Sequence, residues 1–225
     1  MSFIQVKNVC KIYKQGKIEN YALNNISFDV PKEKVIVLYG PSGSGKTTML
    51  NIIGSLDSAT SGSVLVNGED ITKKSSSELA RFRLENLGFI FQSYNLFPVL
   101  SALENVGLSL ELRGIKKDEI HVRALQALAD MGIAEFANRK PKDMSGGQQQ
   151  RVAVARALVA KPNLILGDEP TANLDSKNSE SLIALLKEMQ VKYKTTVVIA
   201  SHDEMVINQA DMKIKLKDGQ ISSIN

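Results

Sequence analysis

The stretch Gly40-Pro41-Ser42-Gly43-Ser44-Gly45-Lys46-Thr47-Thr48 constrains the fold of this chain more than any other. It follows the apolar run 35–39 and precedes a second apolar run, 49–53, which is the strand–turn–helix order that gives the pattern a physical meaning. Glycines let successive backbone N–H groups turn toward one anion, and the helix start adds further N–H groups and a positive dipole end. Lys46 can reach the outer phosphates, and the Thr47 hydroxyl can ligate Mg²⁺. The alternative is a Gly/Ser turn that happens to contain a lysine, but every position of the pattern is filled, so the stretch predicts a nucleotide-phosphate site.

Composition narrows the class of protein around this site. The chain has 225 residues, a net charge of +4, 5% aromatic residues and no tryptophan, so no aromatic surface for stacking single-stranded nucleic acid is evident and no nucleic-acid partner is expected. A single cysteine, Cys10, excludes an internal disulfide, fits a reducing compartment and is expected to be a small buried apolar group. No apolar run reaches the length that spans a bilayer. We therefore expect a soluble, cytoplasmic protein.

The remaining patterning indicates an α/β fold with three parts. Strand-type alternation before residue 31 predicts antiparallel strands beside the nucleotide core, and Asn67-Gly68 marks a tight hairpin turn. Residues 102–137 are helical in pattern, with an interruption at Arg113-Gly114, and contain no strand-like run, which favours an inserted helical subdomain. The apolar runs 164–167 and 195–200 read as buried strands, and 212–224 as a terminal hairpin.

Two adjacent carboxylates, Asp168 and Glu169, end the strand at 164–167. Such a pair is costly unless it is solvated or serves a cation. Asp168 can contribute to a Mg²⁺ shell, and Glu169 can accept a proton from an attacking water.

Four further positions carry weaker signals when each is taken alone. Ser145-Gly146-Gly147-Gln148 is suited to cap a helix and approach an anion, although the local pattern alone does not exclude a loop with a capped helix. Gln92 follows a short strand, where α/β sheets place ligand contacts, but it could be an ordinary loop residue. His202 follows the strand at 195–200, although a lone histidine is usually structural. Tyr13 could stack on adenine or simply fill space.

Taken together and in this order, the motifs resemble those of the ATP-binding subunits of ABC transporters, over essentially the whole chain. The segment 40–47 looks like the Walker A loop, Gln92 like the Q-loop residue, and 145–148 like the signature; Met144 stands where leucine is usual. The segment 164–168 looks like Walker B, 173–175 like the D-loop and His202 like the switch histidine. Gly167 replaces the commoner alanine before the Walker B aspartate. Tyr13 matches the family's adenine-stacking aromatic.

The resemblance implies a P-loop NTPase core with a mostly parallel sheet, an N-terminal antiparallel β subdomain and an inserted helical subdomain. It implies one ABC ATPase domain over residues 1–225, with 1–92 and 160–225 as core and 93–159 as the helical subdomain. The cofactors are ATP and Mg²⁺. Catalysis falls to Glu169, His202 and Lys46, and the metal ligands are Thr47, Gln92 and Asp168. The expected nucleotide-binding residues are Tyr13, Gly40, Pro41, Ser42, Gly43, Ser44, Gly45, Lys46, Thr47, Thr48, Gln92, Ser145, Gly146, Gly147, Gln148 and Asp175.

Family resemblance also implies the partners. Two such domains pair head to tail around ATP as a homodimer, with the signature serine and glycine reaching the γ-phosphate of the other copy, and a membrane permease subunit holds them peripherally at the inner face of the cell membrane. The segments 50–57, 80–92 and 95–106 resemble the subfamily serving macrolide exporters, lipoprotein-release complexes and related cell-division regulators. Phe91, Tyr94 and Phe97 lie where the family forms a groove for the partner's coupling helix, or they are packed internally. A soluble ABC protein of translation or DNA repair is disfavoured, because those chains usually carry two cassettes or a long coiled coil; a regulatory, non-transporting ATPase on a membrane complex stays open.

Overall fold

The computed structural model describes residues 2–16 and 18–225. Its strands are β1 (Ser2–Gln15), β2 (Ile18–Pro31), β3 (Val35–Tyr39), β4 (Ser61–Val66), β5 (Glu69–Asp70), β6 (Leu87–Ile90), β7 (Leu164–Asp168), β8 (Thr196–Ala200), β9 (Met212–Lys217) and β10 (Gln220–Ile224). Its helices are α1 (Lys46–Ile53), α2 (Ser76–Asn86), α3 (Ala102–Leu112), α4 (Lys117–Asp130), α5 (Gly146–Leu158), α6 (Ser176–Tyr193) and α7 (Glu204–Asn208). Short 3₁₀ turns occupy Ile71–Lys73, Ala134–Phe136 and Pro141–Asp143.

The chain divides into two compact units, one formed by the residues up to Arg83 with Thr196–Asn225 and the other by Leu84–Thr195. In the first unit, β2, β1, β4 and β5 form an antiparallel sheet, and β9, β3 and β8 run parallel with β10 added antiparallel to β9. Every residue of β8 and the first four of β3 are buried. Such continuous apolar runs are typical of parallel strands covered on both faces.

The second unit combines one parallel strand pair, β6 with β7, and four helices. Helices α3, α4 and α5 pack on one another, and α5 also packs on β6. The strand and helix approach so closely that a Cβ on Gly88 would lie 2.3 Å from the carbonyl oxygen of Ala157. This close approach explains why β6 carries a glycine at that position.

The local predictions agree with these elements. The N-terminal strands are antiparallel, and Asn67 and Gly68 have positive φ angles of 51° and 82°, as a hairpin turn of this kind requires. The helical stretch is interrupted between α3 and α4, as the sequence predicts. Cys10 is the exception: it is half-buried rather than buried, and its Sγ accepts a hydrogen bond from the Asn25 backbone N–H at 3.3 Å. The predicted division at residues 92/93 and 159/160 stays a prediction.

Among the described residues, no helix is long and apolar enough to cross a membrane.

Candidate nucleotide-binding site

The phosphate loop connects β3 to α1 in the first unit. Gly40, Gly43 and Gly45 have φ angles of 147°, 76° and 101°, which only glycine adopts without strain. Gly45 is the N-cap of α1 and provides no side-chain cap. The first N–H groups of α1 are therefore directed into the loop, where an anion can accept from them.

Lys46 begins α1 and folds back over this loop. Its Nζ donates hydrogen bonds of 2.9 Å to the carbonyl oxygens of Gly40 and Pro41, and its side chain is buried. A buried ammonium that donates to two neutral carbonyls gains further from an anion in the same loop. The Ser44 hydroxyl is also buried and has no hydrogen-bond partner. These two groups fit a phosphate.

Neighbouring backbone keeps the loop in shape. A Cβ on Gly40 would lie 2.0 Å from the carbonyl oxygen of Leu216 in β9, and one on Gly45 would lie 2.6 Å from that of Ala22 in β2. The Gly219 N–H donates to the carbonyl oxygen of Ser44 at 3.3 Å. The loop is thus supported from both sheets of the first unit, and larger residues do not fit at either glycine.

The remaining predicted residues of the loop border solvent. Thr48 is half-buried, and the exposed ones are Pro41, Ser42, Gly43 and Thr47. His202 lies at the same edge of the sheet: Leu38 and Ala200 are paired in register, the Ser201 N–H donates to the Leu38 carbonyl oxygen at 3.0 Å, and Gly40 and His202 follow at equivalent positions. The first unit therefore brings the phosphate loop and His202 to one edge.

Tyr13 lies near the end of β1 and is about half exposed, with its hydroxyl 2.7 Å from Asp57 Oδ2. Burial, with the hydrogen bond to Asp57 next, raises the pKa of Tyr13 above its ordinary value, while a hydrogen bond with Thr48 acts in the opposite direction. The contact with Thr48 places the ring beside the phosphate-loop helix.

In the second unit, β7 ends at Asp168 and the chain then turns sharply at Glu169. Glu169 has a φ angle of 45°, a left-handed conformation that costs a residue with a side chain of the order of 1–3 kcal/mol and that clusters at functional sites. Both carboxylates are half-buried. Glu169 thus lies directly after β7, the place from which the sequence predicts a chemical role for it.

The signature segment starts α5 with a reciprocal cap. The Gln148 N–H donates to Ser145 Oγ at 3.3 Å, and the Ser145 N–H donates to Gln148 Oε1 at 2.9 Å. A Cβ on Gly147 would lie 3.7 Å from Asn178 Oδ1 at the start of α6, whose N-cap is Asp175. Hydrogen bonds from Asn178, backbone first, hold the pKa of Asp175 below its ordinary value. Ser145, Gly146 and Gly147 thus lie at the start of α5, and Asp175 lies at the neighbouring start of α6.

Gln92 follows β6 and is exposed. Its carbonyl oxygen accepts a hydrogen bond of 2.8 Å from Asn173 Nδ2, so the predicted Q-loop residue is tied to the segment between Glu169 and Asp175. The second unit therefore connects Gln92, the carboxylate strand end and the signature helix through its own contacts.

Sequence reasoning missed two side chains that make these connections. Gln150 is fully buried, and its Nε2 donates to the Pro170 carbonyl oxygen at 2.6 Å, which joins α5 to the turn after Glu169. Arg156 donates to the carbonyl oxygens of Tyr94 and Asn95, at 2.7 and 2.5 Å. Burial lowers the pKa of the Arg156 guanidinium. Periodicity marks both positions only as part of a helix, so the sequence offered no signal for these contacts.

Comparisons with known proteins agree with this geometry. A family model described as "ABC transporter" matches residues 23–172. The uncharacterized ABC transporter ATP-binding protein MJ0796 of Methanocaldococcus jannaschii is 46% identical over 222 residues, covering 97% of this chain and 94% of that protein. Its dimeric structure in a post-hydrolysis state with ADP and Pi matches with a TM-score of 0.92 at 42% identity, covering 99% of this chain and 97% of the other. The cbiO1 protein of Clostridium perfringens, part of the ABC transporter complex cbiONQ, matches with a TM-score of 0.90 at 28% identity, covering 100% and 88%. The likenesses confirm the predicted α/β fold class.

Proposed function

This chain belongs to the ABC transporter family as an ATP-binding, ATP-hydrolysing cassette, and from that premise we propose how its residues share the work. The phosphate loop binds the β- and γ-phosphates of ATP. One observation carries this assignment: the Lys46 ammonium, buried and folded onto two carbonyls beside the unpartnered Ser44 hydroxyl. A phosphate oxygen satisfies both groups.

The side chains that we assign to Mg²⁺ carry the kind of ligand atom that this ion prefers. Thr47, Gln92 and Asp168 offer hydroxyl, amide and carboxylate oxygens, which are the hard ligands that Mg²⁺ prefers. Within residues 2–16 and 18–225, no group of three or more His, Cys, Asp or Glu side chains could hold a metal ion by itself. That agrees with an ion bound by few protein ligands together with substrate phosphates. When bound, Mg²⁺ neutralises developing charge on the phosphates.

Hydrolysis uses Glu169 and His202. Glu169, which directly follows β7, accepts a proton from the attacking water. His202, at the sheet edge that also carries the phosphate loop, holds the γ-phosphate and the water. Lys46 stabilises charge on the outer phosphates.

The signature acts on a second copy of the chain. The N-terminus of α5, capped by Ser145, presents N–H groups suited to an anion. We assign it to the γ-phosphate of ATP bound by the partner in a head-to-tail homodimer, with Gly146, Gly147, Gln148 and Asp175 at the same interface. The M. jannaschii relative forms a dimer with ADP and Pi, which supports this arrangement.

A membrane permease subunit is the proposed partner, as in the macrolide-export and lipoprotein-release subfamily, and it holds the cassette at the inner face of the membrane. The loop before α3 exposes Phe97 and Val99, with 50% and 71% of their surface accessible. Asn105, which is fully buried, fixes that loop through hydrogen bonds to Phe97, Leu100 and Ser101. A rigid loop with exposed apolar side chains suits the docking of a helix.

Three experiments test the proposal. Lys46→Ala should weaken ATP binding, and undiminished affinity would contradict the phosphate-loop assignment. Ser145→Ala should reduce hydrolysis while the monomer's ATP affinity is retained; an equal loss of monomer affinity would contradict the assignment to the partner's nucleotide. Co-purification from membranes should recover a permease subunit with the wild-type chain, and less of it with a Val99→Asp variant.

A further inference from the structure

One carboxylate joins the predicted adenine-stacking ring to the phosphate-loop helix. Asp57 Oδ2 accepts from the Tyr13 hydroxyl at 2.7 Å, and Asp57 Oδ1 accepts from Lys11 Nζ at 2.6 Å and from the Ser58 N–H at 2.7 Å. Lys11 Nζ also donates to the Ser58 carbonyl oxygen at 2.8 Å. Three donors from two chain segments, namely Lys11 Nζ, the Tyr13 hydroxyl and the Ser58 N–H, thus hydrogen-bond to the Asp57 carboxylate.

This cluster is anchored to α1. The Asp57 N–H donates to the carbonyl oxygen of Asn51, inside that helix, at 3.2 Å. Tyr13 and Lys11 are on β1. The carboxylate therefore sets the distance between the ring and the helix whose first turn forms the phosphate loop.

Lys11 also determines which face of the ring is available. Its Nζ lies 4.9 Å from the centroid of the Tyr13 ring, within the range of a cation–π contact. Lys11 itself is buried, whereas Tyr13 as a residue is 45% exposed. One face of the ring is thus backed by the protein, and the exposed surface is left for a flat, electron-rich base.

The charge states suit this role across the physiological range. Burial alone would raise the pKa of Asp57, but the hydrogen bonds from Lys11 and Tyr13 outweigh it and hold the pKa below its ordinary value. The pKa of Tyr13 is raised. Asp57 is therefore a permanent acceptor and Tyr13 a permanent donor.

We propose that Asp57 is a positioning residue for the nucleotide base: it locks Tyr13 in the rotamer that stacks on adenine at the distance set by the phosphate loop. The inference rests on the proposed function of Tyr13 and goes beyond it, because it assigns base affinity to a residue that does not touch the base. A released tyrosine divides among three staggered χ1 wells. Apparent affinity falls in proportion to the competent fraction, so losing the lock should weaken ATP binding about threefold.

The test compares two ligands on the full-length chain by calorimetry with Mg²⁺ present: ATP, and inorganic tripolyphosphate, which has the phosphates but no base. Tyr13→Phe keeps the ring and removes only the hydroxyl, so it should weaken ATP about threefold and leave tripolyphosphate binding unchanged. Asp57→Ala should show the same split. The double variant should be no weaker than either single variant, because both remove one interaction.

Several results would overturn the inference. Wild-type ATP affinity in Tyr13→Phe would do so, as would equal losses of ATP and tripolyphosphate binding in Asp57→Ala, since that result means that Asp57 merely supports α1. Tyr13→Phe alone decides the matter if Asp57→Ala does not fold. Two further measurements distinguish failure of this inference from failure of the function on which it rests. A Tyr13→Ala variant with wild-type ATP affinity would refute base stacking itself. A wild-type chain that binds neither ligand would refute the proposed function.

Discussion

Replacing Asn105 by alanine should release the apolar loop that precedes α3. The buried Asn105 amide accepts from the Phe97 N–H at 2.8 Å and donates to the carbonyl oxygens of Phe97, Leu100 and Ser101, at 3.1, 3.1 and 2.9 Å. The Ser101 oxygen keeps its helical bond from the Asn105 N–H, and the Phe97 oxygen keeps its bond from the Leu100 N–H, so two groups, the Phe97 N–H and the Leu100 oxygen, lose their partner. At about 1 kcal/mol for each, the loop loses about 2 kcal/mol of local stability.

Hydrogen exchange at the Phe97 amide reads this loss directly, because that N–H donates to Asn105. A loss of about 2 kcal/mol corresponds to exchange roughly 30-fold faster if the amide exchanges by local opening. Asn138→Ala, at an exposed asparagine of the same unit, is the matched control and should change local stability by less than about 0.5 kcal/mol. Unchanged protection of Phe97 in Asn105→Ala would refute the claim that this amide fixes the loop.

Three further predictions follow from the site and the two units. Glu169→Gln should retain ATP binding and lower the rate of hydrolysis by about 100- to 10,000-fold. The variant should also accumulate an ATP-bound dimer, which light scattering detects. Near-normal turnover would refute the role of Glu169 as the general base. Gly45→Ala should lower the melting temperature and destabilise the chain by about 2–4 kcal/mol, because the new Cβ meets Ala22 and the φ angle is 101°. The control is Gly68→Ala, which has open space around its Cβ and should lose only the stability that the left-handed backbone costs. Equal effects of the two substitutions would refute the steric argument. Burial favours the neutral acid of Asp130, but hydrogen bonds from Lys192, Tyr193 and Gln126 outweigh burial and lower the pKa of Asp130. The contribution of Asp130 to stability is therefore present above about pH 4 and lost as the pH falls further. The difference in urea-unfolding free energy between wild type and Asp130→Asn should shrink on acidification, and a constant difference would contradict this.

Local order and motif chemistry were predictable from the sequence, since each depends on neighbouring residues. The strand–loop–helix at Gly40, the hairpin turn at Asn67 and the capping of α5 by Ser145 are short-range effects of glycine freedom, turn preference and side-chain capping, and the structure has all three. The fold class followed because these local elements match one known arrangement.

Contacts between distant segments were not predictable. The bonds from Asp57 to Tyr13, from Gln150 to Pro170 and from Arg156 to the turn after Gln92 join residues far apart in sequence. No periodic pattern records such a pairing, because it depends on the packing of whole elements. Cys10 shows the same limit: strand-like neighbours suggested burial, but the bulges of β1 leave it half-buried.

The support of the phosphate loop is synthesised in two parts, one before the loop and one long after it. Gly45 packs against Ala22, whereas Gly40 packs against Leu216 and Ser44 accepts a bond from Gly219, so the support is complete only once residues 216–219 have left the ribosome. We therefore expect ATP to stabilise the loop fully only after this hairpin has folded against it. For the same reason, changes that displace Leu216 or Gly219 should weaken nucleotide binding although neither residue belongs to the phosphate loop.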